Sequence, residues 1–295
     1  MQRLVYGLQP VREVLRAHGK AVNRVLLEAS SSPTLDALER FARDRGVPTE
    51  RVDRNTLERL TNEGRHQGVA ADAPPLRILT LDDVLIDDRL LALALDEVQD
   101  PQNFGAIIRS AVALADAPVL WGQHSSAPLT PATFRASAGA VEHARLVCVR
   151  SLRGALGEAS AAGVQVVALD ASATLDLAEV DLRRPTVLVI GSEGQGVRKG
   201  VRAEATALAK LPMQGPLASL NASVAAALAL YEAIRQRQEK TIKNEALCSI
   251  LQVKLEHACP TFTRLGRRSE IGSARSTEWK RVRAPLTSSK AKRFR

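Results

Sequence analysis

Three short segments hold polar side chains among glycines and apolar runs, at spacings that suit chemistry. The first is Leu95-Asp96-Glu97-Val98-Gln99-Asp100-Pro101-Gln102-Asn103-Phe104-Gly105-Ala106-Ile107-Ile108-Arg109-Ser110. It follows an apolar run and opens a helix that Asp100 or Asn103 can cap. Arg109 stands in an otherwise apolar stretch, where a guanidinium needs a phosphate or carboxylate partner. The second segment, Val187 to Val197, runs from a strand into Gly191-Ser192-Glu193-Gly194-Gln195-Gly196. Glycines let a backbone approach a ligand closely. The pattern is neither G-x-G-x-x-G nor a loop followed by Gly-Lys-Ser/Thr, so it indicates neither a dinucleotide nor a triphosphate. The third segment is Leu208-Ala209-Lys210-Leu211-Pro212-Met213, then Ser219-Leu220-Asn221-Ala222-Ser223, in which Ser219 reads as the cap of a long helix. From spacing alone the first segment reads better as a cap and a salt-bridging arginine, the second reads equally well as a plain tight turn, and in the third the helix body, Val224 to Leu230, reads as core.

The five histidines, His18, His66, His124, His143 and His257, show no metal-ligand spacing, and Cys148, Cys248 and Cys259 show none either. No metal is expected. No apolar run is long enough to span a bilayer, so no membrane partner is expected. Met1 to Pro10 has no signal-peptide pattern, and unpaired cysteines suit a reduced compartment, so the expected location is the cytoplasm. The net charge of +9 has a particular location. Residues 238–295 hold 14 Lys/Arg against 5 Asp/Glu, and residues 1–237 carry 27 of each sign. General basicity is therefore no argument for nucleic-acid binding by the body. Aromatic content of 3% excludes a broad stacking platform.

Helical and strand patterns alternate along most of the chain. Helices are expected over Pro10 to Ala17, Pro33 to Arg45 and Thr56 to Leu60, the last capped by Asn55. Strands are expected at Val22 to Leu27, Val47 to Val52 and Gly68 to Ala71, and Ala73-Pro74-Pro75 begins a linker. Further on, strands are expected at Leu90 to Leu95, Ala117 to Trp121, Leu146 to Val149, Val164 to Ala168 and Thr186 to Ile190. Helices fall at Phe104 to Leu114, Leu152 to Ala162 and Ser219 to Gln236. This alternation implies an α/β fold with a mostly parallel sheet. The expected organisation is a small α/β domain over 1–72, a linker over 73–89, a larger α/β domain over 90–237 and a basic tail over 238–295. The tail's composition predicts disorder, apart from a short helical pattern at Ala246 to Leu255.

The ordered triple Asn-x5-Arg, Gly-Ser-Glu-Gly-x-Gly and Ser-Leu-Asn-x-Ser resembles the SpoU (TrmH) family of RNA 2′-O-ribose methyltransferases. Ser126-Ala127-Pro128-Leu129-Thr130-Pro131 and Ser137-Ala138-Gly139-Ala140 also match it. The first domain opens Tyr6-Gly7-Leu8-Gln9-Pro10-Val11 and ends His66-Gln67-Gly68-Val69. It resembles the RNA-recognition domain of the bacterial subgroup acting on a guanosine of 23S ribosomal RNA. The resemblance covers about residues 1–237, and the tail is the main departure.

The resemblance implies a small N-terminal α/β RNA-recognition domain followed by a SPOUT methyltransferase domain knotted as a trefoil. It also implies S-adenosylmethionine as cofactor and a homodimer with its active site near the subunit interface. Gly191, Leu211 and Leu220 would line the cofactor site through backbone groups. Asn103, Arg109, Glu193, Ser219 and Asn221 would form the catalytic and ribose-binding set, and His66 would contact RNA. A ribose hydroxyl must lose its proton while attacking the methyl group, so the protein positions two groups and handles one proton. Arg109 would take that proton or stabilise the developing alkoxide. Within the class, a transfer-RNA enzyme or a ribosomal resistance methyltransferase is the alternative. Outside it, the alternative is a catalytically silent RNA-binding protein, against which the intact polar set argues.

Overall fold

The computed structural model describes residues 3–124, 126, 129–216 and 219–238. The expected basic tail falls outside the described residues except for Gln238, as do Ala127 and Pro128 of the matching loop. The first domain runs β1 (Arg3–Tyr6), α1 (Leu8–His18), β2 (Arg24–Glu28), α2 (Pro33–Arg43), β3 (Thr49–Val52), α3 (Arg54–Leu60) and β4 (Val69–Ala73). Its sheet order is β1-β4-β2-β3, with β2 and β3 parallel and the other pairs antiparallel. Apolar positions on α1 (Val11, Val14, Leu15) and α2 (Leu35, Leu38, Ala42) recur at helical spacing and bury against one face of the sheet. Leu57 of α3 buries with Leu26 and Ala70 in a separate cluster.

Three expectations for this domain are corrected. β1 was not foreseen, because a four-residue strand at the chain start has too little pattern to read. The cap of α3 is Asp53, whose carboxylate accepts from Thr56 N at 2.9 Å, and not Asn55, which lies inside the helix. Residues 73–89 are not a plain linker. They carry β5 (Ile78–Leu79), which pairs with the second sheet, and α4 (Asp82–Leu85).

The second domain continues with β6 (Leu91–Leu95), α5 (Pro101–Ala115), β7 (Val119–Gly122), α6 (Pro131–Ala136), β8 (Leu146–Val149) and α7 (Leu152–Ala161). Then come β9 (Gln165–Leu169), β10 (Leu175–Asp176), β11 (Thr186–Ile190), α8 (Lys199–Arg202), β12 (Ala207–Lys210) and a last helix, α9, over 222–238. The eight strands are ordered β10-β12-β9-β11-β6-β7-β8-β5, and every pairing is parallel. Both faces are covered, as parallel sheets require, so β6 is apolar throughout, β11 is apolar after Thr186, and both are wholly buried. One face packs on α5 and α9 through Phe104, Ile107, Ile108, Ala226, Ala229 and Leu230. The other packs on α7 through Leu152, Leu156 and Ala159. Helix α9 begins after Asn221 rather than at Ser219. Asn221 Oδ1 accepts from Ser223 N at 2.9 Å and so does the capping expected of Ser219.

The two sheets are joined by more than the chain. Glu142, its side chain wholly buried, accepts both terminal guanidinium nitrogens of Arg3 and the ring Nε2 of His18 at 2.9 Å. Arg135 Nη1 donates to the Tyr6 hydroxyl at 2.9 Å. Gly139, at φ 82°, turns the chain after α6 against α1, where a Cβ would stand 2.8 Å from Glu13 Cβ and 3.1 Å from Pro10 Cα. The Ser137-Ala138-Gly139-Ala140 stretch is thus a docking turn between the domains.

Candidate active site

The C-terminal ends of β6 and β11 are adjacent in the sheet, and the loops leaving them build the site. Asp100 begins α5 by accepting from Gln102 N at 3.0 Å, with Pro101 in the first turn. That leaves Asn103 inside the helix, its side chain directed across to the loop after β11. Asn103 Nδ2 donates to Glu193 Oε1 at 2.9 Å. Asn221 Nδ2 donates to Asn103 Oδ1 at 2.9 Å and to Glu193 Oε1 at 2.5 Å. The three segments that begin the sequence argument therefore meet in one hydrogen-bonded triangle. Both Asn221 amide hydrogens are used, and Glu193 Oε2 has no partner among the described residues.

The loop between β11 and α8 is held closed on itself. Ser192 N donates to Gly196 O at 3.2 Å, and Gly196 N donates to Ser192 O at 3.0 Å. Gly191 lies so near the returning strand that a Cβ would stand 2.1 Å from Gly196 C. Here glycine is required by proximity, not by an unusual φ. Beyond the loop, Arg198 is tied to Asp96, a fully buried carboxylate at the end of β6. Asp96 accepts from Arg198 N at 2.8 Å, Nε at 2.9 Å and Nη2 at 2.6 Å. The Asp96 hydrogen bond raises the Arg198 pKa above its usual value. Sequence reasoning missed this clasp. The available signal was a carboxylate directly after five buried apolar residues, a position that demands a partner.

A cavity of about 490 Å³ opens between this loop and the segment after β12, within the range of small-molecule sites. Ile190, Leu211, Met213, Leu220 and Ala225 supply apolar walls, with backbone from Gly191 to Gly196, and Asp170, Glu193, Arg202 and Ser219 supply polar edges. Gly191, Leu211, Leu220 and Ser219 all line it, although Ser219 has no described hydrogen bond. Sequence reasoning missed the Asp170 to Ser172 wall, which follows β9, and β12 itself. A second cavity, of about 340 Å³, lies against the triangle and shares Ser192, Glu193, Gln195 and Ala222 with the first.

Two expected site residues stand elsewhere. Arg109 is exposed and has no hydrogen bond or ion pair among the described residues. Six residues beyond Asn103 on a helix is a rotation of about 240°, which sets the two side chains about 120° apart around α5, and Arg109 lines neither cavity. His66 is 6% exposed, and its Nδ1 accepts from Gly68 N at 3.0 Å. It organises its own turn and offers little surface to RNA. Among the described residues there is no group of three or more metal-binding side chains and no helix long and apolar enough to cross a membrane.

The cavity suits S-adenosylmethionine. Apolar side chains and close backbone fit an adenine ring, Arg202 (paired with Asp170 at 2.6 Å) and Lys210 stand at its edge, and Glu193 adds a carboxylate to the lining, the charge that suits a sulfonium.

Residues 90–231 match the SpoU rRNA Methylase family, and residues 4–79 match the RNA 2′-O ribose methyltransferase substrate binding family. An uncharacterized tRNA/rRNA methyltransferase of Mycolicibacterium smegmatis is 40% identical over 80% of this chain and 77% of its own. The 23S rRNA (guanosine-2′-O-)-methyltransferase RlmB of Pseudomonas putida is 37% identical over 80% of this chain and 97% of its own. The SpoU methyltransferase AviRb from Streptomyces viridochromogenes, solved in complex with AdoMet, superposes with a TM-score of 0.65 at 28% identity, covering 81% of this chain and 91% of that one. An AdoMet-bound rRNA methyltransferase from Sinorhizobium meliloti superposes with a TM-score of 0.64 at 27% identity, covering 79% and 87%.

Proposed function

Since this chain belongs to the SpoU family of S-adenosylmethionine-dependent RNA 2′-O-ribose methyltransferases, we propose that its substrate is a guanosine of 23S ribosomal RNA and that it works as a homodimer in the cytoplasm, without metal. The observation that carries the catalytic reading is the Asn103–Glu193–Asn221 triangle, which sits between a cofactor-sized cavity and a smaller polar one. S-adenosylmethionine supplies a methyl group already activated on its sulfonium. The chain supplies position and proton handling. Gly191, Leu211 and Leu220 frame the cofactor, and Asn103 and Asn221 fix the Glu193 carboxylate. Ser219 stands at the rim, where its hydroxyl can bond the ribose. The expected trefoil threading belongs to the same reading, supported by where described residues stand: β12 lies outside β9, yet Leu211, Met213, Ser219, Leu220 and Ala222 line the same cavity as the loop after β11.

The homodimer is supported by what one face leaves uncovered. Val224, Leu228 and Tyr231 of α9 are 45%, 44% and 60% exposed, at spacings of one helical turn, and Leu114 of α5 is 43% exposed. Both helices cover the same sheet face, and α5 carries Arg109, exposed and without a partner among the described residues. A symmetric pairing there would bring Arg109 of one copy to the triangle of the other. It would then meet the charge that develops on the ribose oxygen.

A tritium-transfer assay with labelled S-adenosylmethionine, followed by mapping of the labelled nucleotide, tests the substrate. Ribose label on a 23S guanosine is the expected result. Label confined to transfer RNA overturns the ribosomal assignment, and no label in any RNA overturns the catalytic one.

A further inference from the structure

The second inference rests on the RNA substrate proposed above and concerns where the first domain holds it. Residues 1–237 carry equal numbers of acidic and basic side chains, so a local excess of unpaired cations needs a reason. One exists across α1 and α2. The Arg45 guanidinium lies 3.5 Å from the centre of the Phe41 ring, and Arg12 lies 5.8 Å from it. The stem of Lys20 crosses Gly46 so closely that a Cβ there would stand 3.2 Å from Lys20 Cε. Arg12 and Lys20 are exposed and have no hydrogen bond or ion pair among the described residues.

The acidic side chains of the same two helices are already engaged. Glu13 takes Arg16 and His143, Glu39 takes Arg43 and Arg51, and Asp36 takes Arg51. Asp44, at the end of α2, is the one carboxylate there without an ion pair among the described residues. Two exposed cations, Arg12 and Lys20, therefore flank the half-buried Arg45–Phe41 pair, with Asp44 as the one unpaired carboxylate of these helices among the described residues.

We propose that this patch is an RNA contact surface, with Arg12, Lys20 and Arg45 reaching phosphates and the Arg45–Phe41 stack offering a flat cation on which an unpaired base can lie. A guanidinium already lying on a ring keeps its plane fixed: Arg45 Nη1 donates to Phe41 O at 3.4 Å, its Nε and Nη2 have no partner among the described residues and can reach phosphate, and Arg planes are a recurrent platform for splayed bases. The arrangement suits a chain poor in aromatic residues, because it needs one ring and not a row of them.

The test uses the full chain with Arg12→Glu, Lys20→Glu and Arg45→Ala, singly and combined, and Arg54→Ala on α3 as the control. RNA affinity is measured by filter binding to ribosomal RNA across a salt series. Each lost phosphate contact should flatten the slope of log affinity against log salt by about 0.7 to 0.9. KM for RNA should rise several-fold, while kcat, cofactor affinity and melting temperature stay unchanged. A folded triple variant with the wild-type slope overturns the proposal, as does an Arg54→Ala effect of equal size. Filter binding needs no turnover, so the patch is judged separately from methyl transfer. Should the enzyme label no RNA while the slopes still flatten, the activity assignment fails and the surface stands.

Discussion

Removing the Asp96 carboxylate should loosen the cofactor loop while leaving the domain folded. Asp96 is wholly buried and receives three hydrogen bonds from Arg198, two of them from the guanidinium. Hydrogen bonds to a charged group contribute roughly 1.5–3 kcal/mol each when buried. Here the Arg198 side chain is 41% exposed, so water replaces part of the loss, and Glu97 keeps a contact at 3.1 Å. Asp96→Ala should then cost about 2–4 kcal/mol in all, close to the range for stranding one partner of a buried pair. Most of that cost should fall on residues 191–198, because Asp96 has no other described side-chain partner. If the loop opens in even nine molecules of ten, apparent cofactor affinity drops about tenfold. Asp96→Asn keeps one acceptor and the volume, and should fall in between.

The assay is calorimetry with S-adenosylmethionine, beside thermal melting and filter binding of RNA. Cofactor affinity should weaken by about tenfold or more, as one decade is about 1.4 kcal/mol, and RNA affinity should hold. Arg198→Lys, which keeps the backbone N–H and one charge, should recover part of what Arg198→Ala loses. Asp96→Ala with cofactor affinity within about twofold of wild type would refute the clasp, because that deviation is below 0.5 kcal/mol. A chain that loses cofactor and RNA binding together would show that Asp96 supports the whole fold instead.

Other outcomes follow from single positions. Gly191→Ala should abolish cofactor binding in calorimetry with the circular dichroism spectrum intact, because its Cβ would stand 2.1 Å from Gly196 C. Asn103→Ala removes two of the three sides of the triangle and should lower kcat by at least about tenfold. Mixing Arg109→Ala with Asn103→Ala tests action across a dimer: random pairing should restore about a quarter of wild-type turnover if the arginine acts in trans, and none if it acts in cis. Glu142→Ala strands Arg3 and His18 between the domains and should lower stability by about 3 kcal/mol, read by urea unfolding.

How far the sequence reaches depends on what kind of interaction makes each feature. Buried parallel strands announce themselves as unbroken apolar runs, so β6 and β11 can be read directly, and so can the helices whose apolar stripes face the sheet. β1, β5, β10 and β12 are short edge or near-edge pieces, and their existence depends on partners that are distant in the chain. The triangle was legible as a set of residues, because Asn103, Glu193 and Asn221 follow a recurring pattern, but its geometry was not. Asn103 and Ser219 both read as helix caps until Asp100 and Asn221 are seen to do the capping, which frees Asn103 to reach Glu193 and leaves Ser219 at the cavity rim. Arg109 shows the opposite limit. An arginine in an apolar helix demands a partner only if it is buried, and this one is exposed. Its helix phase, about 120° from that of Asn103, argues that a pattern recurring along one chain can describe a site completed by two.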